Sequence, residues 1–157
     1  MGAVEDRLAA LGLSLPEVPE PLASYVPAVR QGGYVFTSGQ LPMVSGALMQ
    51  SGKVGDGHGL VPAADARALA RVCALNAMAA VKSVVGDLDL VTRVVKVVGF
   101  VASDPDFTGQ PGVVNGASDL LGSAFGDAGR HARSAVGVAV LPLDAPVEVE
   151  IVVAVPD

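Results

Sequence analysis

A chain of 157 residues suits one domain that buries its own core without disulfides or a structural metal. Its formal net charge of -6 leaves no basic footprint for a polyanion, which disfavours nucleic acid as principal partner. Apolar residues make up 51% but aromatics only 4%, so the core must consist of closely packed layers of Ala, Val, Gly and Leu.

Val4, Leu8 and Leu11 recur at helical spacing before Gly12 and predict a short amphipathic helix with Glu5, Asp6 and Arg7 on its wet side. The early acids replace the apolar stretch of an export signal, and no run approaches the ~18–20 uninterrupted apolar residues of a membrane span. Asp6 leaves the myristoylation pattern incomplete, so a cytoplasmic chain without a membrane partner is expected. The proline-spaced LPEVPEPL that follows must be extended, giving a helix and proline-rich extension over about 1–21 ahead of the rest of a single 1–157 domain.

AVRQGGYVFTSGQLP predicts two short strands about Gln31-Gly32-Gly33, with Tyr34, Phe36 and Ser38 on one face and Val35 and Thr37 on the other. Gly39 then marks a bulge or a close backbone approach. Met43 to Leu60 is glycine-rich and aperiodic; it predicts a loop with at most a brief strand, the most mobile part of the chain, ending where Pro62 starts a helix. Ala64 to Val85 is the longest helical pattern, with Leu69, Cys73, Ala77, Ala80 and Val84 on one flank and Gly86 as its stop. Cys73, the single cysteine, reads as a small buried thiol in a reducing compartment.

Leu90 to Ser103 is too β-branched for a helix and predicts a strand covered on both sides, with Val95, Val97 and Val101 on one face and Val94, Val98 and Phe100 on the other. Val113 to Phe125 suits a second helix. Ala132 to Leu141 and Val147 to Val155 supply two last strands, expected to form a hairpin turning near residues 143 and 144. Two helices can cover one face of such a sheet only. Its apolar second face therefore calls for a partner, and a homo-oligomer with sheets packed inward is inferred.

Arg133 heads the first of those strands and alternates with Ala135, Gly137 and Ala139, whereas Ser134, Val136, Val138 and Val140 form the face expected to be well packed. An arginine beside small residues can fork a carboxylate, because its rigid donors match two carboxylate oxygens. Glu148 and Glu150 share a face at i and i+2. In the hairpin register Glu148 lies opposite about residue 139, some ~20 Å along the strand from Arg133. Either the two are separate solvated charges, or they meet across a subunit interface.

His131 could share a cleft with Arg133 and relay a proton, or serve as a structural or exposed turn histidine. Tyr25 fits either a sheet edge or a cleft wall, and Asn115 either a helix cap or a cleft residue. His58 in GDGHGL lacks any ligand spacing, so no metal site is expected. Ser38 lacks a nucleophile-elbow context, and GKVGDGHG lacks the P-loop pattern.

Together, SYVPAVRQGGYVFTSGQLP, NAMAAVKSVVGDLDLVTRVVKV, SDPDF, VVNGASDLL and HARSAVGVAVLPLDAPVEVEI span about residues 22–155. In this order they resemble the RidA family, also called YjgF/YER057c/UK114 or L-PSP, and its branch ending in HARSAVG. The resemblance implies an α+β, chorismate-mutase-like domain with a mixed sheet and helices on one face. It also implies a homotrimer with ligand sites in the clefts between subunits, and hydrolysis of enamines or imines such as 2-aminoacrylate to 2-keto acids and ammonia without a cofactor.

Carried over by motif, Arg133 would bind the substrate carboxylate and Glu148 would position or activate the water, with Glu150 beside it. Tyr25, Ser38, Gly39 and Asn115 would line the cleft, and the Ala135 backbone would face the substrate nitrogen. Departures are the added N-terminal helix, the longer glycine-rich segment, His131 in place of the usual proline and Ala135 in place of a common cysteine. Two other functions fit the same residues: a non-catalytic trimer that binds or senses a small carboxylate, and an endoribonuclease or translation inhibitor, which the acidic balance argues against.

Overall fold

The computed structural model describes residues 2–18 and 24–157. Its elements follow the sequence patterns: α1 (Ala3–Ala10), β1 (Ala28–Gln31), β2 (Tyr34–Thr37), the small hairpin β3 (Met43–Val44) and β4 (Ala47–Leu48), α2 (Ala63–Val85), β5 (Arg93–Ala102), α3 (Gln110–Phe125), β6 (Ala132–Val138) and β7 (Val147–Ala154). The main sheet is mixed, in the order β1-β2-β7-β5-β6. Both long helices cross one face of it, α2 over β7, β1 and β2 and α3 over β5 and β6. The part of LPEVPEPL beyond Val18, expected to be extended, lies outside the described residues.

Small side chains let these layers approach closely. A Cβ on Gly116 would stand 1.9 Å from the Arg67 carbonyl oxygen, so α3 meets the α2 backbone there. Val35, Val97, Val101, Val147, Val149, Ile151 and Val153 fill the space beneath the helices. The helix α2 is long and apolar enough to cross a membrane, yet half of its most apolar stretch is buried within the fold, as a core helix requires. Gly86 ends this helix at φ 81°, a backbone conformation that costs other residues energy.

One expectation is corrected within β5. A bulge between Val94 and Lys96 slips the alternation by one residue, so Val94 joins Val97 and Val101 on the buried face and Val95 leaves it. The second face is half-buried within one chain, with Tyr34, Phe36 and Val136 between 43% and 49% exposed.

The last two strands do not form a hairpin. The crossover through α3 returns the chain to the same end of the sheet, so β6 pairs parallel to β5 at the sheet edge, and β7 pairs antiparallel on β5's other side. Parallel neighbours in register point the same way, so Arg133, Ala135 and Gly137 face α3 with Val97, Gly99 and Val101. Ser134, Val136 and Val138 occupy the open face, the reverse of the packing expected from side-chain size.

The glycine-rich segment is tied down rather than loose. Ser45 and Gly46, at φ 51° and 79°, make the turn of the β3–β4 hairpin. Val54 is fully buried, its amide donating to the Ala102 carbonyl at 2.7 Å and its carbonyl accepting from the Asp104 amide at 2.9 Å. Gly52 N–H donates to the Asp144 carbonyl at 2.8 Å, and Lys53 pairs with the Asp144 carboxylate.

The N-terminal helix is also attached. Val4 and Leu8 are buried, while the Ala3 and Val4 amides donate to the Asp89 carboxylate at 2.7 and 2.9 Å. Of the residues expected on its wet side, Glu5 pairs with Lys82 and Arg7 donates to the Ala124 carbonyl at 3.0 Å. Leu11 lies beyond the helix, 44% exposed.

Candidate functional site

The expected site residues fall into two groups on opposite faces of the sheet. The first is built where β6 meets α3. Asn115 and Ser118 are one helical turn apart and both reach toward β6. The terminal NH1 of Arg133 donates to Asn115 Oδ1 at 2.7 Å and to Ser118 Oγ at 3.2 Å. Asn115 is therefore no helix cap; the helix starts five residues earlier, at Gln110.

His131 closes this group, with Nε2 2.9 Å from Ser118 Oγ and Nδ1 2.6 Å from the Gly129 carbonyl oxygen. Ala135 packs against the core, and its backbone belongs to the sheet's edge strand. Among the described residues no carboxylate lies within ion-pair distance of Arg133. A half-buried guanidinium held only by neutral partners keeps its full charge available to an anion. Ser118 was not singled out from the sequence, although its spacing from Asn115 was the signal that could have found it.

The second group surrounds Glu148 on β7. Backbone bonds between Gln40 and Val149, at 2.8 and 3.0 Å, bring the chain after β2 against β7 and set Gly39 on Glu148. A Cβ on Gly39 would stand 1.8 Å from Glu148 Oε1, so only glycine leaves room for the carboxylate as placed. Ser38 Oγ donates to the Val26 carbonyl at 2.7 Å, and Tyr25, two residues before Pro27, is 56% exposed. Burial, and secondarily the charge of Glu150, push the Glu148 carboxyl above its usual range.

Arg133 pairs with Val97 and Glu148 with Phe100, an odd separation of three along β5. Their side chains therefore leave opposite faces, and β5 lies between them. They do not meet within one chain, as expected, but sheet order is the cause rather than distance along a hairpin.

Residues 5–154 match the protein family described as "YjgF/chorismate mutase-like, putative endoribonuclease". The chain belongs to the YjgF/chorismate mutase-like family. "Protein TCP17" of Trypanosoma cruzi is 44% identical over 153 residues, covering 97% of this chain and 94% of that protein. The crystal structure of Atu1372 from Agrobacterium tumefaciens, whose function is unknown, matches with a TM-score of 0.89 at 44% identity, covering 99% of this chain and 93% of that one. That of a "putative endoribonuclease" from Shewanella oneidensis MR-1 matches with a TM-score of 0.92 at 33% identity, covering 98% and 100%. The expected RidA-type α+β fold is thus borne out.

In this YjgF-family chain, two clefts of about 420 and 360 Å3 lie away from both groups. One runs beside Arg67 and Asp119 on the helices, the other beside Leu15 and Lys82. Neither touches Arg133 or Glu148, so these two clefts do not mark the chemistry. His58 is exposed, and Cys73 is buried with Sγ 3.8 Å from the Val147 carbonyl oxygen and its thiol pushed well above the usual range by burial.

Proposed function

We propose that three copies close into a ring in which the Arg133 group of one subunit faces the Glu148 group of its neighbour, making a cleft that hydrolyses a small enamine or imino acid. One observation carries this reading: among the described residues the chain presents an anion anchor without a carboxylate partner and a carboxylate fitted by glycine, on opposite faces where they cannot cooperate internally. A heterologous interface brings such complementary halves together once per subunit in a closed ring. The half-buried face with Tyr34, Phe36 and Val136 is the surface this assembly would cover.

In this cleft Arg133 binds the substrate carboxylate and orients the neighbouring C=N bond. Glu148, held on Gly39, positions a water and accepts its proton as oxygen bonds to the imine carbon. The proton passes to nitrogen, giving a carbinolamine; its hydroxyl proton then follows to nitrogen as the C=O bond forms and the C–N bond breaks, and a 2-keto acid and ammonia leave. A carboxyl that burial raises above its usual range is a better proton acceptor than an ordinary carboxylate. Tyr25, Ser38 and Asn115 form the walls, and the Ala135 backbone faces the nitrogen.

The test measures keto-acid release from freshly generated 2-aminoacrylate by wild type, Arg133→Ala and Glu148→Gln. The reading expects acceleration by wild type alone; no acceleration by wild type refutes it for this substrate. A second reading, a trimer that binds a small carboxylate without turnover, draws on the Arg133 group being complete without Glu148. It expects binding that needs Arg133 and tolerates Glu148→Gln. The endoribonuclease function named for the family and for the Shewanella protein has less support here, given a net charge of -6.

A further inference from the structure

An arginine carries five N–H donors, two on each terminal nitrogen and one on Nε. Both hydrogens on NH1 of Arg133 are committed to α3, one to Asn115 Oδ1 and one to Ser118 Oγ. Among the described residues the donors left are Nε–H and those on NH2, and the parallel pair along that edge is the geometry that grips a carboxylate side-on.

The proton assignments behind this orientation are fixed. Arginine only donates, so Ser118 Oγ accepts from it and has its own hydrogen to give. The Gly129 carbonyl beside His131 Nδ1 can only accept, so in the neutral ring Nε2 is the unprotonated nitrogen and accepts from Ser118 Oγ at 2.9 Å. The ring proton then sits on Nδ1, where the Gly129 carbonyl accepts it at 2.6 Å. Guanidinium, hydroxyl, imidazole and carbonyl form a one-way chain in which each bond fixes the next.

We propose that Ser118 and His131 are positioning residues that aim Arg133: they lock its NH1 side against α3, so that the Nε/NH2 edge faces the ligand and carboxylate binds side-on. This deepens the function proposed above and rests on its assignment of Arg133 as the anchor. Neither residue needs to touch the ligand. Breaking the chain at either point frees the guanidinium to rotate, and a rotating fork loses two-point recognition.

Nitrogen-15 NMR on the intact protein tests the chain with and without pyruvate as the probe. In wild type the His131 ring is expected as the neutral Nδ1–H tautomer, with a sharp Arg133 Nε–H signal that pyruvate shifts. Ser118→Ala and His131→Leu should broaden that signal and weaken pyruvate binding about three- to tenfold, the worth of one hydrogen bond. The double variant should be no weaker than either single one, because both act through the same chain. His131→Gln, whose amide oxygen can accept from Ser118, should bind within about twofold of wild type.

An unchanged Arg133 signal in both single variants overturns the inference, as does an Nε2–H tautomer in wild type. Additive losses in the double variant do the same. Should pyruvate leave the wild-type Arg133 signal unmoved, the anchor assignment fails, while the tautomer and the Arg133 signal in the variants still decide whether the chain holds the guanidinium.

Discussion

Gly39→Ala separates function from stability at one atom. The added Cβ would stand 1.8 Å from Glu148 Oε1, 2.8 Å from its Cδ and 3.1 Å from its Cγ, against an ordinary contact of at least 3.4 Å. The carboxylate oxygen must therefore retreat by about 1.6 Å, the difference between 3.4 and 1.8 Å. Displacing a reacting group by ~1 Å costs a rate factor on the order of 100. The obstacle is the end of a flexible side chain, so Glu148 can rotate away at a folding cost of only ~0.5–1.5 kcal/mol. Keto-acid release kinetics and thermal unfolding, run on the same preparations, should show a loss of about 100-fold in kcat/KM with a nearly unchanged Tm. Wild-type kinetics in Gly39→Ala would refute the placement of Glu148 as the working carboxylate.

Gly116→Ala makes the opposite prediction: its Cβ meets backbone at 1.9 Å, so the helices must part and stability should fall by ~1–3 kcal/mol or more, read by urea unfolding. Val54→Ala tests the attachment of the glycine-rich segment; removing this fully buried side chain should cost about 2 kcal/mol, and a cost near zero would show the segment to be loose. Asp89 caps α1 through the Val4 and Ala3 amides, in that order of effect, which lowers its pKa below the usual 3.8. A depressed carboxyl contributes stability above its unfolded pKa and loses it as pH falls through the folded one. Asp89→Ala should thus lower Tm at neutral pH, with the difference from wild type shrinking below about 3.8; a difference constant down to pH 2 would contradict the cap.

The elements were legible because their periods are strong: the helix over Ala63–Val85 and the alternation of Val35 and Thr37 against Tyr34 and Phe36 stand in the sequence. Strand order was not. LPLDAP between two apolar runs has the composition of a hairpin turn, and nothing local reveals that β5 intervenes, since pairing with β5 is decided by the crossover through α3. The bulge at Val95 was hidden because valine suits either face of a buried strand. Arg133, Glu148 and Gly39 stood out as chemistry in unusual surroundings, whereas Ser118 is an ordinary helical serine until Arg133 and His131 are placed beside it.

The direct test of a site shared between subunits mixes two inactive proteins. Arg133→Ala and Glu148→Gln subunits, unfolded together in equal amounts and refolded, assemble at random. In a closed ring of three each cleft draws Arg133 from one subunit and Glu148 from the next, so about one cleft in four, the product of two halves, contains both native residues. Keto-acid release should return to about a quarter of the wild-type rate per subunit, while each variant refolded alone stays inactive. Mixed rings that form, as native mass spectrometry would verify, yet remain as inactive as either parent would place both residues in one chain's site and contradict the account.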